Sequence, residues 1–512
     1  MRGPIAVASF LVFGLLAACG GNPGFSICEN QVPPPEACMT SCDPAPGAPN
    51  TCPSGFHCSP DGKCDARCTQ GGGECGDGYR CTPDGRCVGE NECVNLECNV
   101  VDCNAMGMPD TSLSGKVFAP NGTLPLYGVN VYVPNDASFP LPAFPEGAQC
   151  SRCIDGLPGS PIASAITDDQ GNFTIYNLPS GTNIPLVITI GKWRRQITIP
   201  VVNQCTSNTL GAAETRLPKN KSEGELPKIA VTTGDADSME CLARKLGIED
   251  SEITPSTGAG RIHLYGGNGV GKLKAGFAGG SGQNLTGAEP FWNSIDTLKS
   301  YDIVILSCEG AQLQGATNKT QGALDAMKAY ADLGGRVFAS HWHNIWISGK
   351  FQNGVGAPTP AVWNTIGTWQ DVANLNTATD VIDEINNPKG PAFSNWMVNV
   401  GASTTRGQFP VTQPRITNTS LDLARSERWV YLPPGAQNAA QMFQFTTPNE
   451  TSPDQRCGKV VFTDMHVSGS RVQNQDYPDS CVGGANNLTL SPQEKALAFM
   501  FFDIASCVGA VF

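Results

Sequence analysis

The rhythm of apolar and polar positions changes three times along the 512 residues. From residue 20 to about 103 there are only short polar segments punctuated by cysteine, each too small to bury a core. From Thr111 to about Cys205 apolar and polar residues alternate with period two, as in Gly128-Val-Asn-Val-Tyr-Val and Asn172-Phe-Thr-Ile-Tyr. Asp-Gln-Gly-Asn and Pro-Ser-Gly interrupt the alternation as turns, which predicts an all-β sandwich. Residues 206–227 are polar and read as a linker. From Lys228 onward short continuous apolar runs alternate with helical-period segments, the pattern of a parallel sheet covered on both faces.

In that last part strands are predicted at 228–233, 261–265, 302–307 and 336–340, with helices at 238–246, 291–299 and 321–333. Further strands are predicted at 429–432, 441–445 and 459–463. A Trp-rich insertion occupies about 350–425, with a helix near Val381–Ile385. Ser491-Pro-Gln-Glu opens a final helix with an N-cap, an N1 proline and an N3 glutamate. The fold class expected is multidomain: disulfide-rich N-terminal modules, a β-sandwich, then an α/β doubly wound, flavodoxin-like sheet.

The first residues set the expected compartment. Met1-Arg2 precedes an apolar run from Ile5 to Ala18, too short for a mature membrane span and typical of a signal peptide (1–18). Leu16-Ala17-Ala18-Cys19 resembles the lipobox of bacterial lipoproteins. The resemblance implies acylation of Cys19, a tether over 19–37, and attachment to the membrane through the N-terminal lipid. With Gly20-Gly21 following, it also implies an outer-membrane address in the cell envelope. A formal net charge of −13 disfavours nucleic acid as a partner, since that needs a basic face.

Of the 22 cysteines, thirteen lie between Cys28 and Cys103, which in an exported chain predicts disulfides. Without Cys19, 21 remain, so at least one is a free thiol or an intermolecular link. Cys42, Cys52, Cys58 and Cys64 are matched by Cys68, Cys75, Cys81 and Cys87, with five residues in each of the last two intervals of both copies. Each copy also carries Pro-Asp-Gly, a turn signal. These repeats (38–103) resemble small EGF-like or Dickkopf-like modules. Cys150-Ser-Arg-Cys153 reads as a bridge-former, to Cys205 or Cys103, rather than a redox pair.

The order G-x-V, G-V-x-V, T-D-x-x-G-x-F, L-P-x-G over 111–205 resembles the carboxypeptidase regulatory-like, transthyretin-like sandwich. The resemblance implies a scaffold or adhesion role there. Residues 228–512 resemble the class I glutamine amidotransferase-like superfamily, in particular its trehalose-utilisation (ThuA-like) branch. The likeness lies in Tyr301-Asp-Ile-Val-Ile-Leu, Gly334-Gly-Arg-Val-Phe and Val460-Val-Phe-Thr-Asp-Met-His. Where amidotransferases carry a nucleophilic Cys in a glycine elbow, this chain has Ser340-His341-Trp342-His343 with no flanking glycine. Triad chemistry is therefore not expected.

Three strand ends carry candidate chemistry: Cys308-Glu309, His341-Trp342-His343 and Asp464-Met465-His466. In open α/β sheets ligands bind beyond the carboxyl ends of the strands. One reading is a divalent-metal or acid/base site, with His341, His343, His466 and Glu309 as catalytic groups and His341, His466 and Asp464 as metal ligands. His-x-His at a strand end sends its two rings to opposite sides, so one of the pair is expected to miss the site. A second reading is a non-catalytic pocket with Trp342 and Trp346 as stacking faces. A third leaves the histidines structural. Cys308 is either an activated nucleophile or, the favoured alternative, bridged to Cys241. The function expected is a surface binding or adhesion module for carbohydrate or protein. A carbohydrate-acting hydrolase or lyase is the alternative.

Overall fold

A computed structural model of the chain describes residues 26–31, 33–45, 51–53, 55–69, 74–82, 84–135, 139–153, 156–312, 319–349, 361–433 and 439–509. Residues 1–18, expected as a signal peptide, and Cys19 lie outside the described residues. The protein is multidomain, with several separate sheets and two compact units, Met1–Val94 and Asn95–Phe512.

The N-terminal unit is held by sulfur. Cys42–Cys58 and Cys52–Cys64 close the first repeat, and Cys68–Cys81 and Cys75–Cys87 close the second. Both copies therefore pair first with third and second with fourth cysteine. Each contains a minimal hairpin, 57–58 against 64–65 and 79–81 against 87–89. The Pro-Asp-Gly turns place Gly62 at φ 77° and Gly85 at φ 75°, the left-handed region that only glycine enters without strain.

In the larger unit the 111–205 region forms two sheets. One has the order 193–202, 181–190, 130–134, 161–166, and the other 207–209, 112–116, 172–176. Strands 181–190 and 193–202 pair along their whole length, from Trp193↔Ile190 to Val202↔Gly181. Segment 206–227, expected as a linker, is instead built in. It supplies the strand 207–209 and buries Leu217 and Leu226.

The α/β part is built on an eleven-stranded sheet, with two separate two-stranded pairs, 272–273 with 283–284 and 367–374 with 415–421. Its parallel centre consists of β1 (Ile229–Thr232), β2 (Ile262–Gly266), β3 (Ile303–Leu306), β4 (Arg336–Ser340) and β5 (Gly458–Thr463). They lie in the order β2-β1-β3-β4-β5, all parallel. Beyond β5 the sheet continues antiparallel through 440–447, 427–431, 377–382 and 408–412. The insertion thus extends the sheet. The helix expected near Val381–Ile385 is a strand, Thr377–Ile382. Its β-branched residues and the burial of alternate positions Asp380 and Ile382 suit a strand rather than a helix.

Alternate residues of β1–β5 enter two different cores. Ile229, Val231, Ile303, Ile305, Phe338 and Val461 join one, and Ala230, Val304, Leu306, Val337, Ala339 and Phe462 the other. The second core is closed by helix Gln321–Asp332 through Leu324, Met327 and Tyr330. The first is closed by helix Pro492–Ala505 and continues into the sandwich. Trp193 meets Phe501 and Phe502 at ring distances of 5.9 and 5.7 Å, and Tyr127 stacks on Phe499 at 5.7 Å. The shared core explains why the sandwich and the sheet form one compact unit. The start of that last helix is capped as the sequence predicts: the Glu494 N–H donates to Ser491 Oγ, and the Glu494 carboxylate accepts from the Ser491 N–H and from buried Lys245.

The bridges that tie this unit include Cys103–Cys205, Cys150–Cys457, Cys153–Cys507 and Cys241–Cys481. The expected Cys241–Cys308 bridge is replaced by Cys241–Cys481, and Cys150 and Cys153 reach the α/β part rather than Cys103 or Cys205. Among the described cysteines, Cys308 is the free thiol, and it is buried. Among the described residues no helix is long and apolar enough to cross a membrane.

Candidate functional site

The ends of the three neighbouring strands β3, β4 and β5 bring Cys308, His341 and His466 together. His466 Nε2 lies 3.1 Å from His341 Nδ1, and Cys308 Sγ lies 3.4 Å from the same nitrogen. One donor atom from each of the three residues falls within 4.8 Å of the others. All three are buried, at 0, 2 and 5% exposure respectively. His341 reaches this place at φ 43°, a conformation that costs a non-glycine residue about 1 kcal/mol or more. The chain therefore does make a sharp turn where the sequence argument required glycine.

Asp237, in the loop after β1, holds the two histidine-bearing turns. Its carboxylate accepts from Ser340 Oγ (2.7 Å) and the Val467 N–H (3.0 Å), the direct neighbours of His341 and His466, and from the Ser468 N–H (2.7 Å). Burial pushes the Asp237 carboxyl up to about 6. Sequence reasoning missed this residue. The available signal was an acid in the loop after the first parallel strand, beside the order reversal of the sheet.

Burial holds both rings of the cluster in their neutral form, His341 well below the usual imidazole value and His466 at about 3, with Arg415 adding to the effect. Burial likewise pushes the Cys308 thiol up to about 12.

His343 belongs elsewhere. It accepts at Nδ1 from the Trp346 indole N–H (3.0 Å), so its Nε2–H donates to the Ser307 carbonyl (2.9 Å). Both nitrogens are satisfied, and the ring orders the backbone between β3 and β4. Asp464 is not a ligand of the cluster either. Its carboxylate is taken by the Thr417 N–H, Thr417 hydroxyl and Asn418 N–H. Trp342 and Trp346, expected as stacking faces, are 5 and 1% exposed, so neither offers a face to a ligand.

Glu309 looks the other way from Cys308, into a cleft of about 260 Å³. Gly266, Gly267, Asn268, Glu289, Trp292 and Glu309 line it. Gly267 is required there, because a Cβ would come within 2.4 Å of the Thr233 carbonyl and 2.8 Å of Glu309 Oε1. The Glu309 carboxylate accepts from the Asn268 N–H (3.0 Å) and from buried Lys319, whose ammonium also stands 5.1 Å over the Trp292 ring. Both carboxylate oxygens are thus engaged. The cleft is rich in acceptors, and Asn268 and Glu289 stand exposed at its rim.

No family model and no curated protein matches the chain. Solved structures similar to it include a cytoplasmic protein from Salmonella typhimurium at 12% identity, covering 54% of this chain and 98% of that one, with a TM-score of 0.27. A β-galactosidase from Rahnella sp. R3 is 12% identical over 47% of this chain and 29% of its own, with a TM-score of 0.26. A type II cohesin–X-dockerin complex from Acetivibrio cellulolyticus gives 17%, 25%, 78% and 0.15 for the same quantities. The functional reading therefore rests on the geometry of this chain.

Proposed function

We propose that this protein is a cell-envelope lipoprotein, anchored through Cys19, whose larger unit is a non-catalytic binding module for carbohydrate. The strand order β2-β1-β3-β4-β5 supports reading the parallel sheet as flavodoxin-like. The two-sheet packing of 112–209 supports the carboxypeptidase regulatory-like reading of that part. Cross-links spanning more than 300 residues, Cys150–Cys457 and Cys153–Cys507, suit an oxidising compartment and a module that does not flex.

The observation that carries the binding reading is the strand-end cleft with its acceptors. Glu309 is 3% exposed and pinned by Lys319 and Asn268, so it fixes the wall of the cleft, and the acceptors open to a ligand are those of Asn268 and Glu289 at the rim. Such acceptors suit the hydroxyl donors of a sugar. A hydrolase needs its acid and nucleophile open to substrate. Here the candidate nucleophile Cys308 and both of its histidine neighbours are enclosed.

The test is a glycan array probed with the purified full chain, alongside an Asn268→Ala/Glu289→Ala variant, which removes the rim acceptors and also the Asn268 Nδ2–H bond to the Glu309 carbonyl (2.9 Å). Retention of defined glycans, lost at least tenfold in the variant, with no release of reducing ends, is the expected result. Glycan cleavage, or retention of peptides alone, overturns it. Metabolic palmitate labelling of the wild type and of Cys19→Ala tests the anchor.

A further inference from the structure

We infer that Cys308, His341 and His466 form a binding site for one thiophilic d10 cation, Zn(II) or Cu(I), held by one thiolate and two imidazoles. The inference is independent of the cleft reading.

The five histidines of the chain divide into two kinds. His57, His263 and His343 each make a contact with a backbone carbonyl, at 3.2, 3.1 and 2.9 Å. That is what a buried structural imidazole requires. His341 and His466 have no such anchor. Among the described residues their inward nitrogens hydrogen-bond only with each other and the thiol, while His341 Nε2 and His466 Nδ1 have no hydrogen-bond partner. In this arrangement the single His341 Nδ1 position faces both His466 Nε2 and Cys308 Sγ, so one proton or one lone pair is shared between two neighbours. A cation takes all three inward lone pairs at once.

The spacing agrees. Bond lengths of about 2.0–2.1 Å to nitrogen and 2.3 Å to sulfur put tetrahedral donors about 3.3 Å apart for N and N, and about 3.6 Å for N and S. Two of the three separations are 3.1 and 3.4 Å, and all three donors lie within 4.8 Å of one another, so side-chain adjustment without a change of backbone admits the ion. A thiolate with two imidazoles selects soft or borderline cations over calcium or magnesium, which prefer oxygen. The ligands come from three adjacent strands, and Asp237 fixes the residue next to each histidine, so the backbone that carries the donors is held in place. Binding releases the thiol proton to solvent: the S–H bond breaks, the S–metal bond forms, and no electron moves.

All other described cysteines are disulfide-bonded, so Cys308 supplies the one thiolate. The experiment loads the full chain, purified with its disulfides intact, with Co(II), Zn(II) or, anaerobically, Cu(I). The expected result is one equivalent of metal per chain after desalting. Cobalt should add a thiolate-to-metal charge-transfer band in the near ultraviolet and the intense visible bands of four-coordinate cobalt. Cys308→Ser, nearly isosteric, should keep the circular dichroism and abolish the charge-transfer band, with metal affinity down at least a hundredfold. Displacement of cobalt by Zn(II) and by Cu(I), compared as apparent affinities, tells which of the two ions the site prefers. The wild-type spectrum needs no variant, so a misfolded mutant cannot rescue the idea. Less than a tenth of an equivalent bound, or a charge-transfer band that survives in Cys308→Ser, overturns it.

Discussion

The two compact units solve the problem of folding in opposite ways. Residues 26–94 contain two short hairpins, and their buried apolar positions are mostly half-cystines such as Cys52, Cys64, Cys68 and Cys75. Residues 95–512 bury Trp193, Trp292, Trp363, Trp396 and Trp429 almost completely and add disulfides such as Cys150–Cys457 and Cys241–Cys481 to cores that already exist. A chain too short to remove enough apolar surface from water must restrict its unfolded state instead. In the larger unit Cys150–Cys457 and Cys153–Cys507 limit opening between parts that already share a core.

The sharpest way to break this comparison is to remove Cys52–Cys64 with a Cys52→Ser/Cys64→Ser variant. The first repeat should lose its protease resistance outright, while the melting of the larger unit stays within a degree. Equal losses in both would show that the N-terminal unit is not independently held. Next in size is Trp193→Ala, which opens a cavity where the sandwich meets helix 492–505. Chemical denaturation should show a loss of about 3–5 kcal/mol in one cooperative transition covering both parts. Two separated transitions would mean that the shared core does not couple them.

A smaller effect is expected at Asp380. Its two carboxylate oxygens lack partners, and burial raises its carboxyl to about 8 from an ordinary value of 3.8. Between those values the unfolded chain gives up the proton and the native one keeps it, so stability falls as pH rises from about 4 to about 8. Asp380→Asn removes this titration. The slope of unfolding free energy against pH should flatten across that window, with a gain of about 1–3 kcal/mol near its upper end. An unchanged slope would show that Asp380 has a partner in solution. The smallest effect is Ser491→Ala, which deletes the cap of the last helix and should cost about 1 kcal/mol. The N-terminal unit should not respond to any of the last three substitutions.

Much of this was legible in the sequence. Period-two alternation gives strands because neighbouring side chains point to opposite faces, and continuous apolar runs give β1–β5 because both faces of that sheet are buried. The Cys repeat, the Pro-Asp-Gly turns and the Ser491 cap are local signals, and the 21 cysteines left once Cys19 is set aside as the expected lipid anchor implied a free thiol or an intermolecular link. Strand 377–382 was misread because its short run Val381-Ile382 has no period of its own, and its pairing partners are remote in sequence. Composition likewise could not tell a polar linker from a segment that buries Leu217 and Leu226 against a sandwich.

What the sequence determined alone is therefore local: element type, turn chemistry, the repeat, and the placing of reactive residues at strand ends. Only the tertiary structure decided who meets whom. It paired Cys241 with Cys481 and left Cys308 for the histidines. It turned His343 to a backbone carbonyl and His341 toward His466, and it gave Asp464 to Thr417 and Asn418. The physical reason is that a side chain's direction at a strand end depends on the turn that follows. Its partners come from strands 33 and 125 residues away, brought alongside by a sheet order that no local pattern encodes.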